Sequence, residues 1–325
     1  MFQGFFCIEK GRRAGCMKKL ITTLGDFTKE QVGIILPHEH VFVDLRTMEE
    51  EGYGQAKTED VIYLMRPFLE QARQSGIQVI VDCGPVGVGR RADILKAVSE
   101  STNYPIVIPT GIYREPWLPR WVKEAEESFI EEWMLGELME GIEDTKVQAG
   151  FIKVSAGDDG ITEYETKVLR AASRSGKKAG AIIGSHTIRG RVVRDQLDII
   201  EKAGYTPEKF IWIHTQAEPD FNLHLEIAKR GAWIEYDSIG EGPDEVYINL
   251  ILKMLDAGFE SKILLSHDRG WYDPAQPLGG TPKPYTYLTD EFLPKLHAAG
   301  VSRETIRTLT EDNPFQAFAR EIAVE

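Results

Sequence analysis

The most informative segment of the chain is Gly33-Ile34-Ile35-Leu36-Pro37-His38-Glu39-His40-Val41-Phe42-Val43. Its aliphatic and β-branched residues run almost without interruption, which predicts a buried strand. Side chains two residues apart point to the same side of a strand, so His38 and His40 can both reach one point in space. Neutral imidazole is the commonest protein ligand for transition metals. A His-x-His pair alone also fits two histidines that are hydrogen-bonded at the end of a strand.

Seven further short apolar strands follow this segment, and amphipathic helical patterns separate them. Eight strands that alternate with eight helices indicate a parallel α/β sheet. The number eight favours a closed (β/α)8 TIM barrel over an open doubly wound sheet. No glycine-rich phosphate fingerprint follows the first strand, which also argues against a dinucleotide-binding fold. The later strands are predicted at 77–84, 105–113, 150–155, 179–186, 210–214, 232–237 and 263–268.

The length of 325 residues suits a single barrel, which we assign to residues 17–325. Residues 1–16 carry an apolar piece before their charges, which is the reverse of a secretory signal, so we expect a disordered or non-native extension there. Residues 22–31 are predicted to form a hairpin or cap that closes the bottom of the barrel. A helix is predicted across 119–143.

Composition narrows the partners and the compartment. The formal net charge of −13 argues against nucleic acid as a partner. No apolar run approaches the ~18 residues of a membrane helix, so no membrane contact is expected. Three cysteines without a Cys-x-x-Cys motif indicate reduced thiols and a cytoplasmic protein.

Residues with metal-ligand chemistry stand at the ends of five predicted strands, where the active site of a TIM barrel lies. Among the other histidines, His224 and His297 are predicted to be solvated on helices. His267 should point away from the lumen, because it alternates with its neighbour Asp268. The strand-end residues are His38 and His40 (strand 1), Lys153 (strand 4), His186 (strand 5), His214 (strand 6) and Asp268 (strand 8).

Lys153 is the unusual member of this set, because a bare ammonium inside Phe-Ile-Lys-Val would be costly to bury. Its aliphatic stem could extend to the mouth of the barrel and leave the charge in water. Alternatively, the lysine is kept neutral and is chemically modified into an anionic bridge between metal ions.

The combined pattern resembles that of the phosphotriesterase family, which are binuclear metallohydrolases of the amidohydrolase superfamily. The resemblance covers nearly the whole chain from about residue 20. It implies a homodimer and two divalent transition metal ions per chain. It implies these ligands: His38, His40 and Asp268 for a buried ion, His186 and His214 for a more exposed ion, and carbamylated Lys153 (N6-carboxylysine) as a bridge together with a hydroxide.

Elementary chemistry agrees with this implication. Two ions about 3.5–4 Å apart lower the pKa of a shared water and polarise the attacked carbonyl or phosphoryl oxygen. Asp268 could accept a proton from that water and is the candidate general base. Ligation rich in histidine suits zinc first, with cobalt, manganese and iron as alternatives, better than magnesium or calcium.

Two segments at strand ends indicate which class of substrate the protein would bind. The segment 110–113 is similar to one in the lactonase branch of the family, whose tyrosine lies beside the metals and contacts the substrate; Tyr113 would be that catalytic residue. A tyrosine that merely packs under a loop is the alternative. Phosphotriesterases carry a proton-relaying histidine near position 238, and many acyl-homoserine lactonases carry an arginine there. This chain has Ser238, which argues against both subclasses.

The segment 274–284 contains four prolines and two glycines, so it cannot be a helix or an inner strand and should arch over the site. Arginine and lysine side chains nearby could bind an anionic substituent, as in family members that open lactones of phosphorylated sugars. Solvated charges at the rim are the alternative. Aromatic residues would line part of the mouth. The candidate substrate contacts are Arg114, Arg269, Trp271, Tyr272 and Lys283.

We therefore predict a binuclear metal-dependent hydrolase that opens a lactone, with sugar and phosphorylated sugar lactones among the candidates and at most weak phosphotriesterase activity. Its partner would be a small ester or lactone substrate. The alternatives are a true phosphotriesterase, which hydrolyses organophosphates, or a carboxylesterase. A barrel that binds a ligand without catalysis is a further alternative, but it would be expected to lack a metal ligand, and all six positions are present.

Overall fold

Strands and helices alternate along the chain in the structure, a computed structural model that describes residues 16–323. The strands are β1 (Cys16–Thr22), β2 (Gly25–Phe27), β3 (Ile34–Phe42), β4 (Ile77–Asp82), β5 (Ile106–Val107), β6 (Pro109–Thr110), β7 (Phe151–Ser155), β8 (Ile183–His186), β9 (Phe210–Ile213), β10 (Trp233–Tyr236), β11 (Ile263–Leu265), β12 (Gly270–Tyr272) and β13 (Arg320–Ala323). The α-helices are α1 (Thr58–Gln74), α2 (Ala92–Thr102), α3 (Arg120–Glu124), α4 (Glu127–Met139), α5 (Glu163–Ala179), α6 (Gly190–Lys202), α7 (Phe221–Lys229), α8 (Asp244–Asp256), α9 (Leu293–Ala298), α10 (Arg303–Arg307) and α11 (Asn313–Phe318).

The strands β3 to β12 form the wall of a TIM barrel, which confirms the predicted fold. They pair in parallel in the orders β12-β3-β4-β5 and β6-β7-β8-β9-β10-β11. β5 and β6 are successive parts of one strand, separated only by Ile108. The wall closes between the first and last strand positions, where the Asp268 N–H donates to the His38 carbonyl at 3.1 Å.

Two apolar layers hold this wall in place. Inside the barrel, side chains from several strands pack against one another, and the Phe318 ring of α11 packs edge-on against Phe151 with 5.1 Å between ring centroids. Outside it, the apolar faces of the helices pack against the strands. The inner layer includes Ile35, Val79, Phe151, Ile211 and Leu264.

The bottom of the barrel is closed by a small antiparallel sheet, as predicted for residues 22–31. β1 pairs with β2 and with β13. The Thr23 N–H donates to the Ile106 carbonyl at 2.9 Å, which fastens this sheet to the barrel wall. Cys16 was expected to belong to an unstructured extension, but it begins β1; residues 1–15 lie outside the described residues. The assignment of 17–325 to one domain stays a prediction.

The single helix predicted across 119–143 is wrong, because the chain turns between α3 and α4. Ala125 and Glu126 have extended backbone, with ψ of 144° and 150°. The turn brings Trp121 of α3 onto Trp133 of α4, with 5.5 Å between their ring centroids. Lys167 also donates to the Ala125 carbonyl at 2.9 Å, which stabilises the break.

No helix between residues 16 and 323 combines the length and the apolar character needed to cross a bilayer.

Two glycines allow the chain to approach the strands that carry candidate ligands. Gly111 has a φ of +111°, and a Cβ added to it would lie 2.0 Å from the Lys153 carbonyl oxygen. Gly270 has a φ of +95°, and its Cβ would lie 1.9 Å from the His40 carbonyl oxygen. Both positions therefore require glycine for conformation and for space.

We expect Gly111→Ala to destabilise the fold. The positive φ alone costs an alanine about 1–3 kcal/mol, and the clash with Lys153 adds to that cost. The measurement is thermal or urea unfolding. Gly136→Ala is the matched control: Gly136 lies inside α4, and a Cβ there meets nothing within 4 Å, so helix propensity should leave its stability unchanged or raise it by up to about 1 kcal/mol. Equal unfolding midpoints for Gly111→Ala and the wild type would contradict the packing described here.

Candidate metal centre

Four of the predicted histidines form one continuous cluster at the carboxyl ends of the barrel strands. The ring centroids of His38 and His40 lie 5.4 Å apart, because β3 places both on the lumen side. The His38 and His214 centroids are 5.1 Å apart, and those of His214 and His186 are 4.3 Å apart. The structure thus brings together side chains from β3, β8 and the end of β9, as the sequence predicted.

Asp268 completes this cluster. Its Oδ1 atom lies 3.0 Å from His40 Nε2 and 3.7 Å from His38 Nε2. The same oxygen is buried and accepts no hydrogen bond within the described part of the chain. Ligand atoms of His38, His214 and Asp268 all lie within 4.8 Å of one another. A buried carboxylate oxygen that faces imidazole nitrogens without a hydrogen bond fits a group that binds a cation.

The protonation of the histidines also fits metal binding, which requires a neutral imidazole. Burial, with a smaller contribution from the Lys153 ammonium, lowers the pKa of His38 to about 3. Burial likewise holds the pKa of His186 well below its usual range, and the neighbouring His214 adds to this effect. Both imidazoles therefore keep a lone pair available at neutral pH.

Lys153 lies among the buried groups of the lumen, with only 2% of its surface exposed. Within residues 16–323, Lys153 forms no ion pair. The carboxylates nearby lie within 4 Å of His38 or His40 instead. Because so little of the side chain is exposed, the structure does not favour the alternative of a fully solvated ammonium. A buried lysine without a carboxylate partner fits the proposed modification to an anionic bridge.

Asp237 orients two of the histidines and was not singled out from the sequence. Its Oδ1 lies 2.7 Å from His214 Nδ1, and its Oδ2 lies 3.2 Å from His38 Nδ1. The same Oδ2 accepts the backbone N–H of His214 at 2.8 Å, which holds His214 in a left-handed conformation with φ of 65°. A carboxylate behind a histidine fixes its tautomer and its direction.

Glu235 is the second buried carboxyl group behind the cluster. Its Oε1 lies 2.9 Å from His38 Nδ1. Burial raises the pKa of Glu235 well above its usual range, and the charge of Asp237 raises it further. The available signal in the sequence was the alternation of Glu235 and Asp237 within an apolar strand, since residues at i and i+2 face the same side.

Glu39 positions the segment that carries Asp268. It is fully buried between the two histidines of β3 but points away from the lumen. It accepts the side chain of Ser266 at 2.9 Å, His267 Nδ1 at 2.7 Å and the backbone N–H of Arg269 at 2.8 Å. His267 therefore points away from the cluster, as predicted. Its other nitrogen, Nε2, accepts the Leu288 N–H at 2.7 Å.

The prediction of a solvated His224 is wrong, whereas His297 is exposed as predicted. His224 lies on the inner face of α7 and is fully buried. Its Nε2 donates to the Glu218 carbonyl at 2.9 Å, and its Nδ1 accepts the Tyr236 hydroxyl at 3.1 Å. These two bonds satisfy both ring nitrogens, which makes burial possible.

Tyr113 reaches the cluster from the segment after β6. Its hydroxyl lies 3.1 Å from His186 Nδ1, and the two ring centroids are 5.3 Å apart. Burial raises the pKa of Tyr113 to about 12, so the hydroxyl keeps its proton at neutral pH. The structure thus places a hydrogen-bond donor beside the histidines.

Two of the five predicted substrate contacts lie beside the cluster. The Trp271 ring is edge-on to His40, with 5.3 Å between centroids, and its Nε1 is a buried donor. Arg114 follows Tyr113, and its guanidinium carbon lies 5.2 Å from the Trp117 ring centroid. Arg114 Nε is also buried, and neither nitrogen has a hydrogen-bond partner among residues 16–323.

The other three predicted contacts are engaged elsewhere. Arg269 Nε donates to Glu241 at 3.0 Å, and Lys283 Nζ donates to the same carboxylate at 2.5 Å. Tyr272 is buried, and its ring stacks on Phe42 with 5.7 Å between centroids. The proline-rich segment is irregular, as predicted. Within it, Gly279 packs against Tyr272.

Several known proteins are similar to this chain in sequence and in structure. A sequence profile described as phosphotriesterase family matches residues 18–318. The aryldialkylphosphatase of Saccharolobus solfataricus is 26% identical over 309 residues, which cover 89% of this chain and 96% of that protein. The phospho-furanose lactonase of Mycoplasmopsis synoviae is 26% identical over 324 residues, with coverages of 92% and 91%. The structure of a mutant PTE-like lactonase from Deinococcus radiodurans matches with a TM-score of 0.84 at 29% identity and covers 92% of this chain and 99% of its own.

We expect Lys153→Ala to lower the number of divalent ions that each chain retains, because the buried site would lose its central side chain. The measurement is metal content by mass spectrometry after loading with zinc and bicarbonate and removal of free metal. Lys177→Ala, which changes an exposed lysine of α5, is the control and should retain the wild-type content. Two ions per chain in Lys153→Ala would show that this lysine does not bridge them.

Proposed function

The chain belongs to the phosphotriesterase family of the amidohydrolase superfamily, and we propose that within this family it is a lactonase. The family consists of metal-dependent hydrolases that act on ester bonds and use a binuclear metal centre. Candidate ligand groups for such a centre are present among the described residues. The proposed substrate is a neutral or phosphorylated lactone. A homodimer and a cytoplasmic location stay predictions.

The proposed ligands are those implied by the family pattern. Two divalent ions, zinc first, would lower the pKa of a shared water and polarise the carbonyl oxygen of the ester. The buried, unbonded Oδ1 of Asp268 and the neutral imidazoles support this proposal. The ligand set is His38, His40 and Asp268 for one ion, His186 and His214 for the other, and carbamylated Lys153 between them.

Ring opening requires a base that takes a proton from water, a group that polarises the lactone carbonyl, and a proton for the leaving ring oxygen. The oxygen of a water molecule attacks the lactone carbonyl carbon, and Asp268 accepts the proton that the water loses. The bond between that carbon and the ring oxygen then breaks, and the proton returns to the alkoxide to give a hydroxy acid. The position of Asp268 Oδ1 supports this role, because the oxygen faces the histidine cluster and accepts no hydrogen bond among residues 16–323.

The position of Tyr113 is the observation that carries the lactonase proposal. Its hydroxyl is protonated and lies 3.1 Å from His186 Nδ1, so it can turn toward an ester oxygen bound at the cluster. A hydrogen bond to an oxygen that gains negative charge favours the transition state over the substrate. The match to a PTE-like lactonase at 29% identity supports the same proposal.

Phosphotriester cleavage is the second candidate, supported by the 26% identity to an aryldialkylphosphatase. Against it, Ser238 stands near the position of the family's proton-relaying histidine. Its hydroxyl accepts Gln216 Nε2 at 2.9 Å, which is a structural bond. We therefore propose that triester hydrolysis is at most a weak side activity.

Cationic side chains near the site that lack an acidic partner are the candidates to bind a negatively charged substrate. Glu241 binds both Arg269 and Lys283, which reduces their attraction for an anion. Arg114 has no carboxylate within 4 Å among residues 16–323. We therefore propose Arg114 as the contact for an anionic substituent, and Trp271 Nε1 as a donor on the opposite side of the cluster. The relative named phospho-furanose lactonase makes a phosphorylated sugar lactone a reasonable first test.

We expect Tyr113→Phe to reduce kcat for lactone hydrolysis by about 100-fold, as the loss of one transition-state donor does in other hydrolases. Proton release from γ- and δ-lactones, acyl-homoserine lactones, sugar lactones and one aryl phosphotriester measures it. Tyr63→Phe, at a residue of α1 that is 84% exposed, is the control. A fast triester with inert lactones in the wild type would refute the lactonase proposal.

We expect Arg114→Met to raise KM selectively for phosphorylated substrates. The guanidinium is the proposed partner of the phosphate, whereas its stem contacts survive in methionine. The measurement is the ratio of kcat/KM for a sugar lactone with and without phosphate. An Arg269→Met variant that changed this ratio while Arg114→Met did not would reverse the proposed roles.

A further inference from the structure

Glu235 stands where a TIM barrel ordinarily has an apolar side chain. It lies on β10, it is fully buried, and it faces the lumen because it alternates with Ile234 and Tyr236. The interior of such a barrel is usually filled by bulky branched residues. A carboxyl group in this place loses its hydration, so some interaction with the protein must account for its presence.

Glu235 contacts one histidine of the cluster, His38. Its Oε1 lies 2.9 Å from His38 Nδ1, and Asp237 Oδ2 lies 3.2 Å from the same nitrogen. The opposite nitrogen, His38 Nε2, faces Asp268 Oδ1 at 3.7 Å. The imidazole therefore has carboxyl groups behind it and the candidate cation site in front of it.

The two carboxyl groups differ in what else they bind. Asp237 also binds His214 through the side chain at 2.7 Å and through the backbone at 2.8 Å, and it accepts Gln216 Nε2 at 2.7 Å. Glu235 is close enough to Asp237 for that side chain to raise the pKa of Glu235 through its charge and through a hydrogen bond. Oε2 of Glu235 is buried and accepts no donor in the described part of the chain. Among the histidines of the cluster, Glu235 contacts His38 alone.

We propose that Glu235 is a positioning residue that holds the hydrogen of His38 on Nδ1 and so directs the Nε2 lone pair toward the buried ion. This inference rests on the proposed function, because it takes His38 to be a metal ligand. By accepting the Nδ1 hydrogen, the carboxyl oxygen also makes the opposite nitrogen a better ligand. The more exposed ion should depend on Asp237 rather than on Glu235.

The unpartnered Oε2 separates this role from a purely structural one. A buried polar atom without a partner costs free energy in the folded chain. Replacing the carboxyl group of Glu235 by an apolar side chain should therefore leave the metal-free protein as stable as before, or make it more stable. The same variant should bind the buried ion with lower affinity. A structural role would predict loss of stability with the metal unchanged.

The experiment compares Glu235→Leu, which has no acceptor, with the wild type in two measurements that need no substrate. Zinc retention is measured in a chelator titration, and the unfolding midpoint is measured on metal-free protein. We expect the more tightly held ion to dissociate at a free-zinc concentration roughly ten- to a hundred-fold higher than in the wild type. The unfolding midpoint of the metal-free variant should be equal or higher. Glu235→Gln, which keeps an acceptor oxygen for His38 Nδ1, should retain zinc as the wild type does.

Glu165→Leu is the matched control, since Glu165 is another buried carboxyl group but lies at the start of α5. It accepts the backbone N–H of Thr162 at 3.0 Å and belongs to a capping box. We expect this variant to unfold earlier and to retain zinc as the wild type does.

Three results would overturn the proposal. In the first, Glu235→Leu holds both ions as tightly as the wild type. In the second, Glu235→Leu folds less stably without metal and binds zinc normally, which would make Glu235 structural. In the third, the wild type binds no zinc, which would refute the metal centre as well. A wild type that binds two ions but opens no lactone would refute only the substrate, and zinc retention would still decide the role of Glu235.

Discussion

Hydrogen bonds that histidine Nδ1 atoms donate to buried carboxyl groups are the interactions on which the site depends. An imidazole in the lumen can rotate and exchange its tautomer unless one nitrogen is fixed, and only a fixed ring presents a lone pair in a defined direction. Asp237 fixes His214 at 2.7 Å, and Glu235 and Asp237 together fix His38 at 2.9 and 3.2 Å. The barrel supplies both carboxyl groups from one strand, so the two rings share one rigid support.

The backbone at two candidate ligands is strained, and the same network accounts for it. His214 and Asp268 have φ values of 65° and 59°, in the left-handed region that disfavours side chains. Such residues cost about 1–3 kcal/mol unless their surroundings hold them. The N–H of His214 donates to Asp237 and the N–H of Asp268 donates to the His38 carbonyl. Each turn aims its side chain into the lumen instead of along the strand.

The sequence was sufficient for the barrel and for the cluster, because both follow from local rules. Apolar runs identify strands, and alternation within a strand identifies which side chains share a face. Side chains in loops obey no such rule. Arg269 and Lys283 could face an anion in the sequence, but Glu241 lies between them in the structure. The sequence predicts a solvated His224, because its partner Tyr236 lies on a different element and no local sequence pattern indicates that contact.

The small sheet at the bottom of the barrel determines how the fold would respond to force. β1 and β13 are antiparallel, and Cys16 faces Ala323 at one end of the ladder, so both strands lead away from the same edge. Tension applied through these two ends would open the ladder one pair at a time, like a zipper, instead of shearing all its hydrogen bonds together. This sheet should therefore yield first under load. The histidine cluster, at the opposite pole, would stay intact until the parallel wall itself parts.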